Sequence, residues 1–233
     1  MVPDQHVGPT GPEDDAAFGH LLDVQRIIQD CFPEAVLVGG TAAALHAGHR
    51  VSLDVDSVVT DLRDRFPSVL ERLSELAGWH TRRVRPPVLI LGRFEGVDVG
   101  IRQLIRSHPL ETEEIRGIRV PTLGEMTRIK GWMIVTRNAV RDFLDFSALA
   151  DRLGPVFVDA MAPMDRLYPQ PADADTTLQQ LAKQLREPNP YDFDPAHDSL
   201  VEWRRLTPQW TDWTQVEAFL RTLSQELMDV LLA

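Results

Sequence analysis

Lysine and cysteine are nearly missing from this chain of 233 residues: Lys130 and Lys183 are the only lysines, and Cys31 is the only cysteine. A lone cysteine excludes an intrachain disulfide and a cysteine-based metal site, which leaves core filling as its role. No stretch approaches the run of about eighteen apolar residues that a membrane span needs. The N-terminus, with Pro3, Asp4 and Gly8, also lacks the charged-then-apolar profile of a secretory signal. A cytoplasmic protein with no membrane partner is therefore expected. A positive overall charge is lacking too. The formal net charge of −11 argues against a general nucleic-acid coat protein while leaving room for a local basic groove. The cations are almost all arginine, and Arg82, Arg83, Arg85 and Arg93 cluster, either as forks for phosphate or as solvated surface charge.

What is present is enough hydrophobic material, 43% of residues, for one good core and a small second one. Residues 1–13 are polar, rich in Pro and Gly and without period, so they read as a disordered lead-in. Phe18, Leu21, Leu22, Ile27 and Ile28 then recur at helical spacing up to Pro33. The apolar run Ala35–Val38 predicts a buried strand that ends in Gly39-Gly40-Thr41, followed by a short helix closed by Gly48. From Ser52 to Val59 the pattern alternates, placing Ser52, Asp54 and Asp56 on one face of a strand and Leu53 and Val55 on the other. A helix running to Gly78 follows, with Asp61 as a candidate cap and Pro67 tolerable in its first turn. Strands are expected over Trp79–Val84, Val88–Phe94 and Val97–Ile105, the last two joined by a tight Glu95-Gly96 turn. Leu123–Leu153 reads as a long helical section, interrupted at most near Asn138. Pro155, Pro163, Pro169 and Pro171 make residues 154–175 a linker or irregular wrap. Leu178, Leu181 and Leu185 mark one further helix, and Trp213 through Leu231 a longer one with Thr214 and Glu217 spaced as a capping box. The class is α+β.

The chemistry-bearing pattern is Gly39-Gly40-Thr41 followed by Asp54-Val55-Asp56. Glycines let backbone N–H groups approach a triphosphate, and the helix that follows offers donors and the positive end of its dipole. Carboxylates at i and i+2 of a strand share a face and can ligate one hard divalent ion. Without a cation, two unit charges about 4 Å apart at an effective dielectric of about 20 repel by about 4 kcal/mol. Mg2+ or Mn2+ is the expected remedy, with an NTP as substrate. A two-ion site wants a third acid. Asp98 in Val97-Asp98-Val99 is the candidate metal ligand, or else a solvated residue beside the hairpin turn.

Lys130, Arg137 and Arg141 fall within about 40° of one another on a continuous helix, a cationic stripe opposite Ile129, Trp132, Val135, Val140 and Phe143. Two readings stand for the stripe: phosphate contact in a cleft, or internal pairing with Asp142 and Asp145. His46 and His49 have no matching pair at zinc spacing, which argues against a zinc site.

The segments V-G-G-T-A-A-A-L-H-A-G-H-R-V-S-L-D-V-D (38–56) and K-G-W-M-I-V-T-R-N-A-V-R-D-F-L-D (130–145) resemble the AbiEii/AbiGii nucleotidyltransferase toxins over roughly residues 35–150. The resemblance implies a DNA polymerase β-like nucleotidyltransferase fold and membership of a type IV toxin–antitoxin or phage-defence pair. It places functional positions on Gly39, Gly40, Arg50, Ser52, Asp54, Asp56, Lys130 and Asp142. Some such toxins transfer nucleotides onto the acceptor end of tRNA, so tRNA and a cognate antitoxin protein are the implied partners. This sequence departs from the pattern at Ser57, where an apolar residue is usual, and beyond Gly154. The resulting expectation is a nucleotidyltransferase core over 14–120, a helical section at 121–153 that completes the active site, and a Pro-rich linker with C-terminal helices over 154–233. The alternatives are a small-molecule nucleotidyltransferase of the aminoglycoside-modifying type, and a non-catalytic nucleotide- or partner-binding module.

Overall fold

A computed structural model describes residues 16–201 and 203–232. The expected lead-in over 1–13 lies outside the described residues. Helix α1 (Ala16–Cys31) leads into β1 (Val36–Val38), α2 (Gly39–Ala47) and β2 (Asp54–Val59). After α3 (Leu62–Ser74) come β3 (His80–Arg85), β4 (Leu89–Phe94) and β5 (Val97–Gln103). The five strands form one sheet in the order β1-β2-β5-β4-β3. Only β2 and β5 run parallel, so the chain leaves β2 through α3 and the β3–β4 hairpin before returning beside it.

Period-two alternation divides the sheet into unlike faces. Val55, Val59, Ile90, Val99 and Ile101 are buried and join Phe18, Leu22, Ile28, Phe66, Val69 and Leu73 of α1 and α3 in the first hydrophobic core. The other face carries Asp54 and Asp56 of β2 and Asp98, Gly100 and Arg102 of β5. The acids thus stand on the face opposite the first core.

A β6–β7 hairpin (Thr112–Ile115, Ile118–Pro121), which the hydrophobic pattern did not reveal, leads into α4 (Leu123–Arg137). Thr122 caps α4 by accepting from the Glu125 N–H. The helical section expected over Leu123–Leu153 is two helices. Asn138 closes α4 in the left-handed region at φ 56, and α5 (Val140–Leu153) packs back on α4. Two expectations fail with that reversal. Arg141 stands on a different helix from Lys130 and is exposed, and the Lys130 side of α4 is more deeply buried than Ile129, Trp132 and Val135.

The α4–α5 hairpin links two cores, because Met126 and Leu149 belong to the first while Ile134, Phe143, Leu144 and Phe146 belong to the second. The second core also takes Phe157 and Met161 of α6 (Phe157–Met161), Met164 and Leu167 of α7 (Met164–Leu167), and the apolar stripes of α8 (Thr177–Arg186) and α9 (Trp213–Leu231). The segment after Gly154, expected as a linker or wrap, is packed short helices up to Leu167, with Pro155 and Pro163 at helix starts, and an irregular wrap from there to α8. Asp212, not Thr214, caps α9 by accepting from the Thr214 N–H. Pro67 lies beyond the first turn of α3, tolerated because Phe66, Val69 and Leu73 anchor the helix on the sheet.

Candidate active site

The glycine turn and the acid strand meet because β1 and β2 pair antiparallel, with Val38 opposite Asp56. Helix α2 starts at Gly39 without any side-chain cap, so its first N–H groups lack the partner a cap would supply and carry the positive end of the helix dipole. Gly39 has φ +75, and a Cβ there would lie 3.4 Å from both Cβ and Oδ2 of Asp56. The carboxylate of Asp56 therefore rests against the start of α2. Gly40 is closed to side chains from another direction, since a Cβ would come within 2.4 Å of Arg50 Nη2 and 3.0 Å of Ser52 Oγ.

The parallel register sets Asp54 opposite Asp98 and Asp56 opposite Gly100. Gly100 clears room for Asp56, because a Cβ at that position would sit 2.4 Å from Asp56 Oδ1. Ser52 Oγ donates to Asp54 Oδ1 at 3.0 Å, and Thr41 Oγ1 donates to the Asp54 carbonyl at 2.5 Å. Thr41 thus ties α2 to β2, and at 0% exposure neither its hydroxyl nor its backbone N–H is open to the phosphate contact expected of it.

The three aspartates line a cleft of about 300 Å³ together with Arg82, Arg83 and Arg102. Arg82 Nη1 donates to Asp98 Oδ1 at 2.9 Å, and Arg102 Nε donates to Asp56 Oδ1 at 3.2 Å. No three His, Cys, Asp or Glu side chains among the described residues are drawn together as a ready metal cage. Asp98 stands in register with Asp54, but its carboxylate turns to Arg82, which is where the expected three-acid cage departs from the arrangement found. The donor set nonetheless fits a hard divalent ion, being all carboxylate oxygen on adjoining strands beside a Cβ-free floor. A cleft of about 270 Å³ beside Cys31, Phe32 and Arg65 brings together no comparable set of carboxylates.

Behind the glycine turn lies a buried network. Arg50 is 2% exposed and grips Asp145 with two parallel bonds, Nε to Oδ1 at 2.6 Å and Nη2 to Oδ2 at 2.9 Å. Lys130 Nζ lies 2.7 Å from Asp145 Oδ2 and 3.5 Å from Asp142 Oδ1. Arg137 holds Asp142 through Nε at 2.7 Å and Nη2 at 2.5 Å. Burial would raise the Asp145 carboxyl, but Arg50 and Lys130 outweigh it and hold the group well below the usual carboxylate range. His49 Nε2 also lies 2.7 Å from Asp145 Oδ1, and burial pushes that imidazole below its ordinary value. His46 is half-buried beside the Pro121 carbonyl and pushed the same way by desolvation.

Of the residues expected at the site, Gly39, Gly40, Ser52, Asp54, Asp56 and Asp98 are brought together. Arg50, Lys130, Arg137 and Asp142 form the network behind, and Arg141 stands apart. Arg102 and Gly100 were missed, although they alternate with Asp98 on the face that carries the acids. Asp145 was read only as a pairing partner; its place at the network's centre required the fold.

Two solved structures share the architecture. JHP933 from Helicobacter pylori superposes with a TM-score of 0.57 at 18% identity, covering 93% of this chain and 94% of its own. A candidate nucleotidyltransferase from H. pylori gives the same TM-score and identity over 93% and 97%. The chain has the nucleotidyltransferase fold. It comprises a polymerase β-like core of mixed sheet and helices with a C-terminal helical region. No protein-family profile matches the chain. Among curated proteins, the heme uptake protein MmpL11 of Mycobacterium tuberculosis is 32% identical over 111 residues, 43% of this chain and 12% of that protein. The mycolic acid-containing lipids exporter MmpL11 of Mycolicibacterium smegmatis is 31% identical over 113 residues, again 43% and 12%. The chain thus spans 12% of the length of these relatives, and among the described residues no helix is long and apolar enough to cross a membrane.

Proposed function

We propose that this protein transfers a nucleoside monophosphate from an NTP to an acceptor hydroxyl in a reaction that depends on Mg2+ or Mn2+. The observation that carries the reading is the register of β2 against β5, which sets Asp54 beside Asp98 with Asp56 pressed against the uncapped start of α2. Asp54, Asp56 and Asp98 would hold the ions, which supply charge neutralisation and lower the pKa of the attacking hydroxyl. The N–H groups of Gly39 and Gly40 would donate to the phosphates, where the helix dipole favours negative charge. The acceptor hydroxyl gives up its proton to water and its oxygen forms a bond to the α-phosphorus as the bond from that phosphorus to the bridging β-phosphate oxygen breaks, and pyrophosphate leaves with that electron pair. The chain's own work is positioning. Arg50, Lys130 and Asp142, buried with Asp145, fix the glycine turn and the entry to β2, while Ser52 orients Asp54.

The acceptor proposed is RNA, specifically the 3′ end of tRNA, and the role that of a toxin with a cognate antitoxin. Both rest on the resemblance of residues 38–56 and 130–145 to the AbiEii/AbiGii toxins. The test is incubation of the purified chain with Mg2+, tRNA and each labelled NTP. Incorporation that is lost in D54A supports the proposal. Absence of incorporation into tRNA, with transfer to an aminoglycoside instead, would replace the acceptor. NTP binding with no transfer to any acceptor would sink the enzymatic reading.

A further inference from the structure

The arginines of the cleft are not part of the reading above, and their geometry gives them a task. Arg82 and Arg102 each donate to a carboxylate that a divalent ion would need, at Asp98 Oδ1 and Asp56 Oδ1. Both pairs reach solvent, with side-chain exposures of 58% and 56% for Arg82 and Asp98 and 45% and 25% for Arg102 and the half-buried Asp56. Exposed pairs are weakly held and screened by solvent, so packing does not lock either guanidinium in place. In charge the cleft is balanced, three aspartates against Arg82, Arg83 and Arg102. Each divalent ion added to that set leaves two units of positive charge in excess. Only an anion restores the balance, and the planar guanidinium fork matches phosphate oxygens.

Resting on the assignment of this cleft to nucleotide and divalent-ion binding, we infer that Arg82 and Arg102 are exchangeable clamps. They neutralise Asp98 and Asp56 until a divalent ion takes those carboxylates, and then turn to hold the triphosphate of the incoming nucleotide. The two arginines therefore oppose ion binding alone and favour binding of ion and nucleotide together. Linkage makes that coupling measurable from either side. Reach permits it, since both side chains rise from the open face of the sheet beside the acids, Arg102 from the strand that carries Asp98. They are positioning residues, acting on phosphate and on carboxylates but not on the attacked bond.

The experiment uses the full chain as wild type, R82A/R102A, R83A and D56N, with thermal melts to confirm folding. Arg83 lines the same cleft and, among the described residues, pairs with no carboxylate, so R83A removes the same unit of charge per residue without removing a clamp. Mn2+ affinity is read by electron paramagnetic resonance, and binding of the four α,β-methylene NTP analogues is read at saturating Mn2+. The double variant is expected to bind Mn2+ about thirtyfold more tightly and the analogues about tenfold more weakly than wild type. R83A is expected to shift Mn2+ affinity by no more than about threefold through long-range charge alone. A double variant whose Mn2+ affinity moves no further than twice the R83A shift in free energy overturns the inference, as does undiminished analogue binding. Either result leaves the proposed function standing if wild type still binds Mn2+ through Asp56 and transfers nucleotide. Failure of wild type to bind Mn2+ more tightly than D56N overturns the function and the inference together.

Discussion

Two sets of charged side chains flank the Gly39-Gly40 turn, and they differ in solvent before they differ in chemistry. On the open face of the sheet, Asp54, Asp56 and Asp98 stand with Arg82 and Arg102 in partly exposed pairs. Behind the turn, Asp145 and Asp142 are held by Arg50, Lys130 and Arg137, with the Asp145 and Asp142 side chains at 0% exposure and Arg50 and Lys130 at 3% and 4%. Exposed pairs can be exchanged for an incoming ion or phosphate at little cost. Buried ones cannot, because each charge left without its partner keeps its desolvation penalty. The comparison assigns exchange to the first set and rigidity to the second.

The sharpest way to break that division is to remove one acid from each side. D145A should lower stability by about 3–5 kcal/mol in urea unfolding, since it strands Arg50 and Lys130 in the interior. D98A should change it by less than about 1 kcal/mol. Equal losses would show that the two sets are not different in kind. D54N tests the other side: labelled-NTP transfer should fall at least about a thousandfold, as expected when several kcal/mol of ion-mediated stabilisation are removed, with little change in the unfolding midpoint. G100A is next in size. Its Cβ would meet Asp56 Oδ1 at 2.4 Å, so Mn2+ affinity should drop about tenfold as the carboxylate is forced aside, at a stability cost of about 1–3 kcal/mol.

The smallest effect is expected with pH. His49 and His46 have folded-state values held below 6.5 by burial. Below pH 6.5 the unfolded chain takes up protons that the folded chain refuses, so stability falls as pH drops from 6.5 toward the folded values. Asp145 acts in the same sense at lower pH: its depressed carboxyl stabilises the fold above the ordinary carboxylate range, and that contribution is lost on acidification through the folded value. Denaturant titrations at about pH 7.5 and about pH 5.5 should therefore show a smaller difference for H46Q/H49Q than for wild type. A difference as large as the wild-type one would assign the slope to other groups.

The acid face was legible because alternation on a strand is local. Asp54 and Asp56 share a face at i and i+2, and Gly39-Gly40 announces a turn whatever surrounds it. The cationic stripe was misread for the opposite reason: the 3.6-residue period holds only while a helix continues, and Asn138 in the left-handed region ends it, placing Arg141 elsewhere. Residues 154–167 were misread because prolines mark helix ends as well as linkers, and only packing of Phe157, Met161 and Met164 separates the two cases.

The sequence by itself determined the α+β class, the glycine turn, the acid pair and the apolar faces that build the first core, all set by spacings of a few residues. Tertiary structure alone decided that Asp98 falls opposite Asp54, since that register depends on a crossover through α3, β3 and β4. It also decided that Lys130 and Arg50 face one another across Asp145. Ninety-five residues separate Arg50 from that carboxylate. No local period carries information over such a distance; only burial, which makes an unpaired charge intolerable, brings the partners together.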